Sequence, residues 1–117
     1  MNADNIKSQM RKGYLEYCIL LILKKKPAYT SDIIAELKDA KLIVVEGTLY
    51  PLLTRLKNGE LLDYRWEEST QGPPRKYYEM TSQGDAFLQE LENAWEEINN
   101  VVKKIKASPA HTDGVAY

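Results

Sequence analysis

Within ten residues of one segment, EGTLYPLLTRLKNGELL (46–62), stand Thr48, Tyr50, Thr54, Arg55 and Lys57, all off the apolar stripe. Hydroxyls and a phenol can hydrogen-bond base edges or backbone, and two cations can neutralise phosphates. Covalent chemistry finds less support. His111 is the only histidine and lies near the C-terminus, and Cys18 sits inside an apolar helix with no base near it in sequence. No metal-ligand spacing and no phosphate-binding glycine loop occurs. The expectation is a non-enzyme without a cofactor, with Cys18 as a small core residue.

The elements that must position these groups are legible from periodicity. Met10, Tyr14, Leu15, Cys18, Ile19, Ile22 and Leu23 recur at three- and four-residue steps, which predicts a first helix over 9–25, sandwiched between neighbours and stopped by Pro27. A second helix follows, with Thr30 or Ser31 as N-cap and Ile33, Ile34, Leu37 and Ala40 facing inward. KLIVVEG (41–47) reads as a short β-prone link. The third helix is the opening segment, with Leu49, Leu52, Leu53 and Leu56 as its buried stripe. Pro51 requires a start near Gly47, and Asn58-Gly59 ends it because both accept the left-handed conformation.

After Gly59 the period changes to two. Leu62, Tyr64 and Trp66 alternate against Asp63, Arg65 and Glu67, and Tyr78 and Met80 alternate against Tyr77 and Glu79. STQGPP lies between them as a turn-forming loop, so the region predicts a hairpin with a stiff, projecting tip. Three helices and a hairpin make a winged helix-turn-helix over 1–80, an α+β fold that is mainly α. In such a motif the third helix enters the major groove. Gly47 permits close backbone approach, while Arg65, Arg75 and Lys76 put cations on the wing.

Each of these residues also has a plainer reading. Tyr50 can pack under the wing, and Arg55 and Lys57 can be solvated charges. Lys24, Lys25 and Lys26 suit a helix C-terminus. Glu46 and Glu67 would repel phosphate. A winged-helix adaptor that binds protein instead of DNA therefore stays open.

The fourth helix, capped by Thr81 and covering 81–107, carries Leu88, Leu91, Trp95, Ile98, Val102 and Ile105 at spacings of 3, 4, 3, 4 and 3. That is an unbroken heptad seam. About 25 residues make a helix of about 37 Å, longer than a compact winged helix covers. Either it folds back on its own first helix, or it pairs with the same helix of a second chain as a dimerisation element. Burial is worth roughly 1.5–3 kcal/mol per apolar side chain, which favours pairing. Residues 108–117 read as a disordered tail.

Composition sets the outer limits. A chain of 117 residues is one domain with a modest core, and 44% hydrophobic and 28% charged residues suit a soluble globular protein. The net charge of −1 does not advertise a polyanion partner. The charge is uneven, however: residues 1–80 hold thirteen basic and eleven acidic residues, and 81–117 hold three and six. Any basic surface is local to the first part. Cys18 is the sole cysteine, so neither a disulfide nor a zinc cluster is expected. The longest apolar run, YCILLIL, is far short of the ~20 residues of a membrane span, and MNADNIKSQM lacks a signal-peptide core. A cytoplasmic protein is expected.

GTLYPLLTRLKNGELL, the later YRWEESTQGPPRKYYEMTSQG, and RKGYLEYCILLIL together resemble the signature of PadR-like transcriptional regulators over about residues 9–106. The resemblance implies a homodimeric winged-helix repressor of the small subfamily, with a single C-terminal dimerisation helix. By position it implies a recognition helix over 47–58 and a wing tip over 71–76, which adds Gln71 to Arg75 and Lys76. Some small members take planar aromatic compounds between tryptophans at the dimer centre, and the wider family includes sensors of phenolic acids. Trp95 matches that tryptophan, as ligand platform or as ordinary seam residue. The resemblance therefore implies three partners: an operator in double-stranded DNA, a second copy of the chain, and a planar aromatic effector that releases the DNA.

Overall fold

The computed structural model describes residues 2–111. Four helices and a three-stranded sheet follow in the order α1 (Ala3–Lys25), β1 (Ala28–Tyr29), α2 (Thr30–Asp39), α3 (Glu46–Asn58), β2 (Leu62–Ser69), β3 (Gly72–Met80) and α4 (Ser82–Ala107). This is the expected α+β winged helix-turn-helix with a long last helix. Residues 108–111 form no helix or strand, and the rest of the stretch read as a disordered tail, 112–117, lies outside the described residues.

α1 begins six residues earlier than its apolar periodicity predicts, because Asn2 caps it by accepting a 2.9 Å hydrogen bond from the Asp4 N–H. Leu15, Ile19, Leu20 and Leu23 bury it on more than one face, whereas Met10 is exposed. Around it close Ile33 and Leu37 of α2, Leu49, Leu53 and Leu56 of α3, and Leu62, Tyr78 and Leu88. Leu52 is only half-buried and Ala40 is exposed, so both helices bury a narrower stripe than expected.

The sheet departs from expectation. KLIVVEG forms no strand; Ala28 and Tyr29 supply the third one, pairing antiparallel with Tyr78 and Tyr77 in the order β1-β3-β2. β-propensity measures fit to a pleated surface, and here Val44 is buried as an anchor while Ile43 and Val45 stand in solvent. α2 consequently starts at Thr30, with Tyr29 in the cap position and its N–H donating to Asp32 at 3.0 Å. The hairpin loop is also shorter than STQGPP. Its turn is Thr70-Gln71, and Gly72, Pro73 and Pro74 belong to β3. Proline is tolerated there because β1 covers only Tyr77 and Tyr78, leaving the outer half of β3 with a free edge.

α3 starts at Glu46, so Pro51 sits in its second turn and leaves the Gly47 carbonyl without its usual i+4 donor. Its end also differs from expectation. Gly59 has an ordinary φ of −80°, and the left-handed residue is Glu60 at +65°. The Leu61 N–H then returns to the Leu56 carbonyl at 3.0 Å, a Schellman closure, and α2 ends the same way through Lys41 and Leu42.

That closure aims the Leu61 carbonyl at the start of α4. The Thr81 N–H donates to it at 3.2 Å. The Thr81 hydroxyl shares its proton between the Glu60 and Leu61 carbonyls, at 2.7 and 3.0 Å, and accepts from the Gly84 N–H at 2.9 Å. Gly84 is packed so closely that a Cβ there would stand 2.1 Å from the Leu61 oxygen and 3.0 Å from the Met80 sulfur.

Beyond this joint α4 runs for 26 residues, about 39 Å. Leu88 is 2% exposed and buried in the chain's own core, and Leu91 packs half-buried against it. Leu88 therefore offers no free face to a second chain, which removes it from the expected seam, while Leu91 keeps part of its surface open. Further along the helix leaves the body, and exposure rises to 57% at Ile98 and 70% at Ile105. The radius of gyration, 19.0 Å, is well above the ~13 Å of a compact domain of this size.

Gly84→Ala should cost at least the roughly 1–3 kcal/mol typical of overpacking, since the obstructing atom is backbone and cannot change rotamer. Chemical denaturation will register this as a lower midpoint at unchanged slope.

Candidate nucleic-acid interface

With about 3.6 residues per turn, the candidate side chains of α3 divide between two flanks of its buried stripe. Tyr50, Thr54 and Lys57, at i, i+4 and i+7, share the flank that faces the wing. Thr48 and Arg55, seven apart, share the opposite flank, which faces α1. There Arg55 forms an ion pair with Glu16, so its guanidinium points away from the wing.

The hairpin divides its cations by strand alternation. Tyr64, Trp66, Lys76 and Tyr78 lie on the α3 side of the sheet. Thr54, Lys57, Tyr64 and Lys76 line a cleft of about 140 Å³ between helix and wing. Lys57 and Lys76 stand over the Tyr64 ring, at 5.9 and 4.5 Å from its centre, and Lys76 is also 5.5 Å from the Trp66 ring. Two like charges are thereby held together over an electron-rich face. Tyr78 beneath them stays a neutral phenol, because burial and then the neighbouring Tyr50 and Tyr64 push its pKa up.

Arg65 and Arg75 belong to the other face. Arg75 lies 3.9 Å from the centre of the Tyr29 ring, and Tyr29 stacks on Tyr77 at 4.7 Å. Arg65 is 5.1 Å from the Tyr77 ring and donates to Glu67 at 2.7 Å, so the acid that threatened to repel phosphate is already paired. The N-termini of α2 and α3 meet the wing around a second cleft of about 390 Å³, bordered by Tyr29, Ser31, Glu46, Tyr50, Trp66 and Arg75. Gln71 is at the tip, where its N–H donates to the Ser69 hydroxyl at 3.3 Å.

Tyr50, Thr54, Lys57, Lys76 and Arg75 thus converge on one concave front. Thr48 and Arg55 flank it, Gln71 tops it, and Arg65 turns away. Tyr50 borders the cleft and stays exposed, so it is not simply packed under the wing. Three residues of this front, Tyr29, Ser31 and Trp66, escape sequence reasoning. By alternation Trp66 shares the face of the buried Leu62, but it is 61% exposed at the border of the second cleft. Elsewhere, burial pushes the Cys18 thiol above its ordinary pKa, which keeps it protonated and a poor nucleophile. Among the described residues no helix is long and apolar enough to cross a membrane.

A family model described as the transcriptional regulator PadR-like family matches residues 19–90, from the middle of α1 to the first turns of α4. The chain belongs to the PadR-like family.

Solved PadR-like structures agree along nearly the whole chain. A PadR-like transcription factor from Bacteroides fragilis is 69% identical, with a TM-score of 0.76, covering 86% of this chain and 98% of that one. A PadR-like transcriptional regulator from Bacillus cereus is 33% identical, with a TM-score of 0.75 over 86% and 99% of the two chains. A PadR family regulator from Eggerthella lenta, also 33% identical, has a TM-score of 0.76 over 92% and 97%. The protein is a PadR-like transcriptional regulator with a winged-helix fold, and not an enzyme.

Arg75→Ala and Lys76→Ala should each weaken binding to all DNA sequences alike and reduce the slope of log affinity against log salt by about one unit. Fluorescence anisotropy across a salt series measures this; an unchanged slope removes that residue from the phosphate contacts.

Proposed function

We propose that this PadR-like regulator is a cytoplasmic homodimeric repressor that holds operator DNA with α3 and the wing and releases it when a planar aromatic compound binds at Trp95. One observation carries the dimer: the apolar stripe of α4 continues through Trp95, Ile98, Val102 and Ile105 after the helix has left its own core. Val101 on α4 and Ile6 and Met10 on α1 widen the exposed surface. Each such side chain gains roughly 1.5–3 kcal/mol on burial, and a second copy of the same helix offers a matching heptad seam. Two-fold pairing would present two α3 helices and two wings to one duplex, with half-sites about 34 Å apart or a multiple of that.

Trp95 supports the effector reading. Its ring lies 6.4 Å from Tyr14 and 6.1 Å from Tyr17, both of α1, yet the residue remains 42% exposed. An indole seated on two phenols with an open face can stack a flat aromatic ligand. The protein-binding adaptor is the weaker reading, because it assigns no role to cations gathered at the mouth of the α3–wing cleft.

Selection of genomic fragments by the purified protein, repeated with phenolic acids present, tests the whole reading. Fragments should be recovered in the first case and released in the second. Recovery of no sequence above background at physiological salt would rule out the repressor. Ile98→Asp should convert the dimer to a monomer in sedimentation velocity and abolish operator binding; a DNA-competent monomer would refute the pairing. Trp95→Ala should remove most affinity for planar aromatics in isothermal titration, and ligand binding equal to wild type would move the pocket elsewhere.

A further inference from the structure

Arg55 is the one cation of α3 that does not face the cleft: its helical position puts it on the opposite flank, and there Glu16 pairs with it. The pair joins the α1-facing flank of α3 to the middle of α1, and its side chains are 67% and 23% exposed. With the Arg55 side chain mostly in solvent and Glu16 half-buried, the pair is a partly screened one and contributes modestly to stability. The packing of α3 is already fixed by Leu49, Leu53 and Leu56. What the pair does determine is the direction and the free charge of Arg55. A carboxylate and a phosphate offer a guanidinium the same two-pronged acceptor geometry, so the two can exchange at small cost.

We infer that Glu16 is an affinity-setting residue that competes with operator phosphate for Arg55. In the free protein Glu16 holds the guanidinium. A DNA backbone reaching that flank of α3 must draw Arg55 away and leave a carboxylate uncompensated beside it. Operator binding is thereby weaker, and less salt-dependent, than the number of basic residues on α3 would give. The site of control is on α1 itself: Glu16 lies between Tyr14 and Tyr17, the two residues that touch Trp95.

This inference rests on the DNA-binding reading above. It is tested by operator affinity across a salt series for wild type, Glu16→Gln, Arg55→Gln and the double variant, with Arg75→Ala as a separate reference. Glu16→Gln should bind several-fold tighter and steepen the slope of log affinity against log salt by about 0.9, one released counterion. Arg55→Gln alone should change the slope by much less, and the double variant should match it. A Glu16→Gln slope equal to wild type, or a gain that persists in the double variant, overturns the competition. Should Gln at position 16 lower the melting temperature markedly, Glu16→Asp reads the same contest, with an intermediate slope expected and a wild-type slope refuting it. If wild type ignores DNA at every salt concentration, the DNA reading and this inference both fall. If wild type binds with a slope that Arg75→Ala lowers and Glu16→Gln leaves unchanged, only the inference does.

Discussion

The contact on which the rest of this structure depends is between a backbone oxygen and a missing side chain. The Leu61 carbonyl comes so close to Gly84 that no other residue type fits without displacing backbone. The same oxygen accepts from Thr81. Three units meet at this point: the Schellman end of α3, the base of the wing and the first turn of α4. The direction in which α4 leaves the body is therefore fixed by hydrogen bonds and close packing on a few backbone atoms. In a dimer built on α4, that direction would set where both copies of α3 stand.

Charge in this protein works locally, by its placement rather than by its sum. A net charge of −1 conceals a front on which Lys57, Lys76 and Arg75 are held over tyrosine rings, while Glu67 and Glu16 occupy Arg65 and Arg55. Cation–π contacts position a charge without neutralising it, whereas ion pairs do both. On this front the cations left to the solvent, Lys57, Lys76 and Arg75, lie where helix and wing converge. In the proposed DNA complex, discrimination among sequences would then depend more on shape and hydrogen bonding than on bulk attraction.

Much of the architecture was legible in the chain, because it rests on period and on end signals. The change from 3.6 to 2 after Gly59 marked the wing, Thr81 marked its helix, and the alternating threes and fours of α4 marked a stripe longer than the core. What stayed hidden depends on neighbours distant in sequence. Ala28 and Tyr29 carry no strand signal of their own and become one because Tyr77 and Tyr78 offer a free edge. Trp66 obeys alternation and still stands largely in solvent, at the open border of the cleft between the wing and the N-termini of α2 and α3. Glu60, not Gly59, takes the left-handed turn, since the closure to Leu56 is made one residue later than composition implies. Of the site, the residue types on α3 and the wing could be read in advance. Their sorting onto separate flanks, with Arg55 tied to α1, needed the third dimension.

Beyond Tyr77 the outer half of the hairpin has no third strand beside it and two prolines within it. Segments with so few buried neighbours open and bend at a small fraction of the global unfolding free energy. The protein thus presents a compliant fingertip on a stiff hand. In the proposed DNA complex the tip would follow a wider or narrower groove while the core stays undisturbed, and substitutions there would retune the grip with little risk to folding.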